Sequence, residues 1–331
     1  MKIKVVDIDG IITKETQGFG DSYYSSRTPN SYNIDTLFDL KQRGYTIVLH
    51  SARYEEDREV TEAWLKKNNV PYDELILGKP QAELYVDDKA CHQLDREVLL
   101  LSGGVDSIIG LHYLNFPQAI YIDLSHKYAY KEIHCLYELC RVIPNMKLKF
   151  IEGPSLHEFE VGDKAYIPNR NLLLATLASY YGNKIYMCGV KGDHVEDKTP
   201  EAFDVMSHAM NFIKKKDEPK ISIESPFWEM TKTDIIQWFI DNYPMNYVLR
   251  VLEASVSCYD ENTLGSCGHC PACFRKWVAL ESCGIVSYGW FENDPREWKE
   301  IPNYVKRFKD GEYDIKRTQE TEGVLRCYNL W

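Results

Sequence analysis

Val98-Leu99-Leu100-Leu101-Ser102-Gly103-Gly104-Val105-Asp106-Ser107 runs an apolar strand into a glycine turn, and a helical pattern from Asp106 to Leu114 follows. Four consecutive apolar residues before a turn read as a buried strand. Two glycines let the backbone double back and bring its amides close to a bound anion. The start of the next helix favours negative charge there, and Ser102 and Ser107 add hydroxyl donors. The Gly-Lys-Ser/Thr ending of a Walker loop is missing. A Gly-Gly turn is also a common plain connection. The full order Ser-Gly-Gly-Val-Asp-Ser at a strand-to-helix turn points instead to a phosphate loop, formed by Ser102, Gly103, Gly104, Val105, Asp106 and Ser107.

The same alternation extends on both sides of this stretch. Beyond it, strands over Ala119–Asp123, Lys147–Ile151 and Lys184–Cys188 alternate with helices over Tyr130–Val142, Asn171–Tyr181 and Lys232–Asn242. Before it, strands over Ile3–Ile8, Thr46–Leu49, Leu75–Leu77 and Leu84–Val86 alternate with helices over Asn33–Arg43 and Glu56–Asn68. Strands alternating with helices predict parallel sheets covered on both faces. The pattern restarts near Cys91–Arg96, so the fold class is α/β with two doubly wound parallel-sheet domains, 1–92 and 97–285. Residues 286–331, polar and aromatic, read as a C-terminal extension with no placed element.

A chain of 331 residues is long enough for two such cores. Its 50 acidic against 39 basic residues give a net charge of -11, which argues against a protein that clamps nucleic acid through its phosphates. No apolar run nears the roughly 18 residues of a membrane span, and the N-terminus lacks the pattern of a signal peptide. Four of the ten cysteines fall between Cys258 and Cys273 and the rest are scattered. That distribution predicts one metal site plus free thiols in a reducing cytoplasm rather than a disulfide framework.

Asp7-Ile8-Asp9-Gly10 follows the first strand. At a period of two, Asp7 and Asp9 point the same way from the carboxyl end of the strand, where ligands of parallel sheets bind. Two carboxylates there suit Mg²⁺, one attacking a phosphoryl group and the other protonating the leaving oxygen. The alternative is a turn with two solvated acids. Three further strand ends bear Ser51, Lys79 and the pair Asp87-Asp88, suited to bind phosphate, offset its charge and complete the metal shell. This arrangement resembles the haloacid dehalogenase superfamily of phosphatases over residues 1–92. The resemblance implies Asp7 as nucleophile, Asp9 as acid/base, Ser51 and Lys79 at the phosphate, and Asp7, Asp9, Asp87 and Asp88 around magnesium. Ser51-Ala52-Arg53 and Gly78-Lys79-Pro80 match small, minimally capped members, and the span Gly18–Asn33 is short for a cap domain.

Cys258, Cys267, Cys270 and Cys273 stand as C-x8-C-x2-C-x2-C, a spacing that can close as a structural tetrahedral zinc site. An iron–sulfur cluster uses the same ligands and stays open as a rival. His269, between the ligands, reads as a surface residue. Arg275 and Lys276, just after the last ligand, read as facing phosphates.

The Ser-Gly-Gly-x-Asp-Ser loop resembles that of N-type ATP pyrophosphatases, which share an adenine nucleotide alpha hydrolase-like fold and split ATP between its α and β phosphates. Pro168-Asn169-Arg170-Asn171, Gly189 with Asp193, Pro226 with Lys232, and Cys267-Gly268-His269-Cys270-Pro271-Ala272-Cys273 follow in order. Over 97–285 the chain resembles 7-cyano-7-deazaguanine synthase (QueC). The resemblance implies an ATP-dependent C–N ligase that adenylates 7-carboxy-7-deazaguanine or a related acid. It also implies ammonia, Mg²⁺ and zinc as the other participants, and possible homodimers. Asp193 and Lys232 are its implied catalytic residues; Asp123, Arg170 and Asn171 its implied nucleotide binders. Asp123 reads equally as a solvated strand-end acid, and Asn171 as a helix cap. One departure touches substrate choice: His194-Val195-Glu196-Asp197-Lys198-Thr199-Pro200 replaces the family's Tyr-Pro-Asp-Cys-Arg stretch. Alternatives follow from it: an enzyme that stops at the amide, one that transfers the acyl group to a macromolecule, or a noncatalytic nucleotide-binding module. A sulfur-inserting tRNA enzyme would need a thiol such as Cys135, Cys140 or Cys188 near the loop, and a basic surface that the net charge disfavours.

Overall fold

The computed structural model describes residues 2–331 apart from 17, 19, 81–93, 145, 163–165, 192–195 and 216–217. The chain divides into two compact units, Met1–Arg96 and Glu97–Trp331.

In the first unit three parallel strands, β1 (Ile3–Val6), β2 (Thr46–His50) and β3 (Glu74–Ile76), lie in that order. Val5 sits opposite Val48, and Val48 opposite Glu74. Helices α1 (Asp21–Ser26), α2 (Ser31–Gln42) and α3 (Arg58–Lys67) complete the unit. Asn30 caps α2 by accepting from the Asn33 amide (3.4 Å), and Ile34, Leu37 and Leu40 bury one face of it. They meet Ile8, Ile47, Leu49, Trp64 and Leu65 in one core. The described strands step one way, so the reversal expected of a doubly wound sheet is not seen among the described residues of this unit. The expected strand Leu84–Val86 lies outside the described residues.

The second unit has five parallel strands in the order β6-β5-β4-β7-β8, with β4 (Glu97–Leu100), β5 (Gln118–Asp123), β6 (Leu148–Glu152), β7 (Lys184–Tyr186) and β8 (Ser222–Glu224). The chain steps from β4 outward to β6, then returns to place β7 on the other side of β4. This is a doubly wound sheet whose switch point lies between β4 and β7, the place where such sheets open a crevice at their carboxyl ends. Its helices are α4 (Val105–Tyr113), α5 (Ala129–Val142), α6 (Arg170–Ala178), α7 (Pro200–Ile213), α8 (Lys232–Asn242), α9 (Met245–Ala254) and α10 (Pro271–Ser282). Strand β8 has one buried residue, Ile223, which is too little for a sequence pattern.

Residues 286–331 are not an appendage. They form α11 (Ile301–Lys309) and α12 (Ile315–Cys327). Phe291, Trp298, Ile301, Val305, Val324 and Leu325 share a core with the four cysteines, Phe274 and Trp277. Burial of each such aliphatic or aromatic group is worth roughly 2 kcal/mol, so this tail is part of what folds the unit. No helix among the described residues is long and apolar enough to cross a membrane.

Candidate functional site

The crevice of the second unit is built on the loop after β4. Gly103 has φ +80°, and a Cβ there would lie 2.8 Å from Cys135 Sγ on α5. A Cβ on Gly104 would lie 2.9 Å from Ser257 Oγ. Both glycines are therefore required by close approach, and Gly103 also by its backbone. Ser107 Oγ donates to the Gly104 carbonyl (3.0 Å) and lies 3.4 Å from Ser102 Oγ. The Val256 amide donates to the Gly103 carbonyl (3.1 Å), so the segment entering the cysteine cluster braces the loop from behind. Cys135 also donates to the Gly103 carbonyl (3.4 Å); burial pushes its thiol up to about 12, which makes it a packing group rather than a nucleophile.

Lys232, first residue of α8, reaches both carboxylate oxygens of Asp106 at 2.5 Å, and the two side chains are 14% and 16% exposed. Thr231 and Asp234 close a reciprocal cap that fixes where α8 starts. The structure therefore brings together a loop carboxylate and a lysine 126 residues apart.

Arg170 opens α6 beside this crevice. The cap of α6 is Asn169 in a left-handed conformation (φ 58°); Asn171 lies inside the first turn and is buried, so it is not the cap. Next to Arg170 an open pocket is walled by Leu156, Phe159, Val161, Ile167, Pro168 and Leu173 together with Glu158, Glu160 and Asn169. Asp123 ends β5, but its Oδ1 accepts from the Ser125 amide (2.7 Å), which makes it a turn acceptor in this structure. Lys198 was not singled out from the sequence. Burial, reinforced by the charge of Arg170, pushes its ammonium below the ordinary lysine range, and its carbonyl would lie 3.0 Å from a Cβ on Gly189. Only this packing identifies it, because a lysine between two acidic residues and a proline reads as surface. Asp193 lies outside the described residues.

The sulfur atoms of Cys258, Cys267, Cys270 and Cys273 all lie within 4.8 Å of one another, and all four residues are buried. An enclosed set of four thiols suits a closed structural zinc site, and Asp260 and His269 lie beside it, grouped with Cys267. Hydrogen bonds with Cys267, Cys270 and Cys273 drive the Cys258 thiol down, while those with Cys258, Cys267 and Cys270 drive the Cys273 thiol up. Cys270 also caps α10, accepting from the Cys273 amide, with Pro271 preset for the first turn. Lys131 on α5 donates to Thr263 Oγ1 (2.8 Å) and to the Asp260 carbonyl, holding the intervening loop. His269 is half exposed and pairs with Asp260 (2.9 Å). Lys276, expected to face phosphates, is buried and donates to the Ser255 carbonyl; burial lowers it to about 8. Arg275 turns the other way, toward a pocket that Lys232 also lines.

In the first unit Asp7 and Lys79 pair at 3.1 Å, and the Ser51 carbonyl accepts from the Lys79 amide at 3.0 Å. The backbone breaks at Gly10 (φ +80°), where a Cβ would lie 2.6 Å from Thr16. Asp9 is held by Arg53 of the Ser51-Ala52-Arg53 stretch, for which the resemblance implies no role: its Nε and Nη2 each donate to the Asp9 carboxylate at 2.8 Å. Arg27 approaches the same carboxylate at 3.4 Å. The Arg53 guanidinium lies 4.1 Å from the centroid of the buried Tyr24 ring, and its Nη1 donates to Thr61 (3.1 Å). Ser51 is fully buried and its hydroxyl accepts from the Arg53 amide (3.3 Å). Asp7, Asp9, Ser51 and Lys79 thus cluster at the strand ends of the unit. Asp87 and Asp88 lie outside the described residues.

The second unit belongs to the class of doubly wound α/β sheets with a glycine loop at the switch point, here with a four-cysteine segment packed behind the loop. Residues 145–284 match the family model for queuosine biosynthesis protein QueC. The 7-cyano-7-deazaguanine synthase of Chlorobaculum tepidum is 26% identical over 243 residues, 64% of this chain and 100% of that protein. The 7-cyano-7-deazaguanine synthase of Chlorobaculum parvum is 27% identical over 243 residues, 64% of this chain and 100% of that protein. A crystal structure of a Vibrio cholerae structural-genomics target aligns with 28% of this chain and 83% of that chain, at 32% identity and a TM-score of 0.24.

Proposed function

We propose that the second unit is an ATP-dependent ligase of the 7-cyano-7-deazaguanine synthase kind. The observation that carries this reading is the Ser102–Ser107 loop at the switch point of the sheet, locked to α8 through Asp106 and Lys232. Backbone amides at the start of α4, with Ser102 and Ser107, hold the β and γ phosphates of ATP. A carboxylate oxygen attacks the α phosphorus, the bond to the bridging oxygen breaks, and pyrophosphate leaves. Ammonia then attacks the acyl carbon, AMP departs and a proton is lost to give the amide. A second adenylation, on the amide oxygen, lets the amide lose AMP and a proton to become the nitrile. Arg170 binds phosphate with its planar fork, and the pocket beside it, apolar on one side through Phe159, Ile167 and Leu173 and carrying Glu158, Glu160 and Asn169, suits a flat ring with polar edges. Asn171 joins it as a nucleotide binder, Asp193 as a catalytic residue, and 7-carboxy-7-deazaguanine is the expected acid. The four cysteines hold zinc as a brace for the loop, in a cytoplasmic enzyme.

The first unit is read as a Mg²⁺-dependent phosphatase. Asp7 is its nucleophile, Asp9 its acid/base, Ser51 and Lys79 hold the phosphate, and Asp87 and Asp88 join the two aspartates at the metal. The reading rests on the convergence of Asp7, Asp9, Ser51 and Lys79 at one edge. It requires Asp9 to exchange its Arg53 contact for the leaving oxygen during turnover.

The test incubates the purified chain with ATP, Mg²⁺, ammonia and 7-carboxy-7-deazaguanine and follows products by mass spectrometry. AMP, pyrophosphate and the nitrile are expected. The amide alone, or an acylated protein, would replace the final step, and no AMP with any candidate acid would end the reading. Hydrolysis of p-nitrophenyl phosphate, lost in Asp7→Asn, tests the first unit.

A further inference from the structure

Helix α8 carries Lys232 in its first turn, and the side chain reaches Asp106 of the loop, so the place where α8 starts decides where that ammonium sits. At about 3.6 residues per turn, a slip of one residue would swing Lys232 around the helix by about 100° and off the carboxylate. The start is set by the reciprocal cap: the Asp234 amide donates to Thr231 Oγ1 (3.1 Å) and the Thr231 amide to Asp234 Oδ2 (2.9 Å). Both cap side chains are held in turn by α12. Thr231 Oγ1 donates to Glu320 Oε1 at 2.7 Å, and Lys316 Nζ donates to Asp234 Oδ2 at 3.0 Å. Lys316 and Glu320 stand at i and i+4, hence on one face of α12, and that face meets the start of α8. A hydroxyl has a single hydrogen. Committed to Glu320, it leaves the lone pairs of Thr231 to the Asp234 amide and keeps the cap closed. Lys316 is exposed, and an exposed pair is worth little. Glu320 is half-buried and its bond to the hydroxyl is charge-assisted, so it is the stronger of the two holds. The support behind it is fixed: Val324 and Leu325 of α12 are buried in the cysteine core with Phe274 and Trp277.

We propose that Glu320 is a positioning residue for Lys232: through Thr231 it pins the first turn of α8, and so holds the ammonium against Asp106 of the loop. Helix α12 begins at Ile315, beyond the stretch 145–284 that matches the QueC model, so this hold comes from a part of the chain outside that match. Its effect on rate rests on reading Lys232 as a catalytic residue of the ligase; the placement of Lys232 stands on the geometry alone.

Acetic anhydride labelling of the native full chain, with each lysine followed by peptide mass spectrometry, tests the placement; AMP release from ATP and 7-carboxy-7-deazaguanine tests its consequence. Glu320→Ala frees Lys232 from Asp106 and raises its labelling severalfold, while the buried Lys276 of the same unit stays protected. Glu320→Gln keeps an acceptor oxygen for the hydroxyl and returns Lys232 labelling toward wild type. Thr231→Val raises it as Glu320→Ala does, and the two together raise it no further, since both act through one hydroxyl. AMP release falls roughly 10- to 100-fold in Glu320→Ala, the cost of a misplaced group, and recovers in Glu320→Gln. Lys232 labelling unchanged in Glu320→Ala, Lys276 labelling that rises in step with it, no recovery in Glu320→Gln, or additive effects of the two substitutions overturns the proposal. A Lys232 whose labelling depends on Glu320 in a chain that releases no AMP keeps the positioning role and ends only the ligase reading.

Discussion

At the scale of single residues, the loop leaves no room for substitution. Gly103→Ala adds left-handed strain of about 1–2 kcal/mol and drives a methyl group into Cys135. The expected result is a lower unfolding midpoint together with loss of AMP formation, read by thermal denaturation and by product assay; an active, equally stable variant would contradict it. His112 offers a pH test in the same helix. Its Nδ1 lies 2.8 Å from the Ile108 carbonyl, which can only accept, so Nδ1 carries the hydrogen and Nε2 accepts from the Tyr247 hydroxyl (2.8 Å). Burial among Phe116, Phe239 and Tyr243 pushes the ring down to about 4 and keeps it neutral at pH 7. The unfolded chain, with the ordinary histidine value near 6.5, binds a proton first as pH falls. Stability from this group is thus full above about pH 6.5 and falls by about 2 kcal/mol between pH 7 and pH 5. Urea unfolding at the two pH values should show this loss in the wild type and a smaller one in His112→Phe.

At the scale of elements, the cysteine segment is a hub. It braces the loop through Val256 and Ser257, starts α10 at Cys270, and packs α11 and α12 through Phe274 and Trp277. Metal loss should therefore reach the loop that this segment braces. Cys270→Ser is expected to bind less than one zinc per chain and to lose several kcal/mol of stability, as removal of a structural metal does. Elemental analysis and denaturant titration check both; iron rather than zinc in the wild type would identify the rival cluster. The helix α12 shows a different lesson. Its sequence, Ile315–Cys327, has little apolar periodicity and is spent largely on polar and charged residues, so no element is placed there from sequence. Two of those residues, Arg317 and Glu320, line a pocket instead.

At the scale of the whole molecule, each unit has its own core: one around Ile8, Leu37, Leu49 and Trp64, the others within 97–331. Calorimetry should resolve two transitions, with a zinc chelator lowering only that of the second unit; a single transition that shifts as one would reject independent folding. Strand and helix alternation was legible because apolar runs such as Val98–Leu101 and Ile47–Leu49 are local. The four cysteines and the glycine loop were legible for the same reason, since spacing within a few residues states the chemistry. What the sequence alone determined is therefore the α/β class, the glycine loop and the four-cysteine cluster. The tertiary structure decided what depends on distant partners: the pairing of Asp106 with Lys232, the grip of Arg53 on Asp9, the half-burial of Lys198 and full burial of Lys276, and the packing of the C-terminal helices beside Lys232. A charged side chain has no periodic signature. Whether it meets solvent, a counter-ion or a ligand is set by which elements the fold brings beside it.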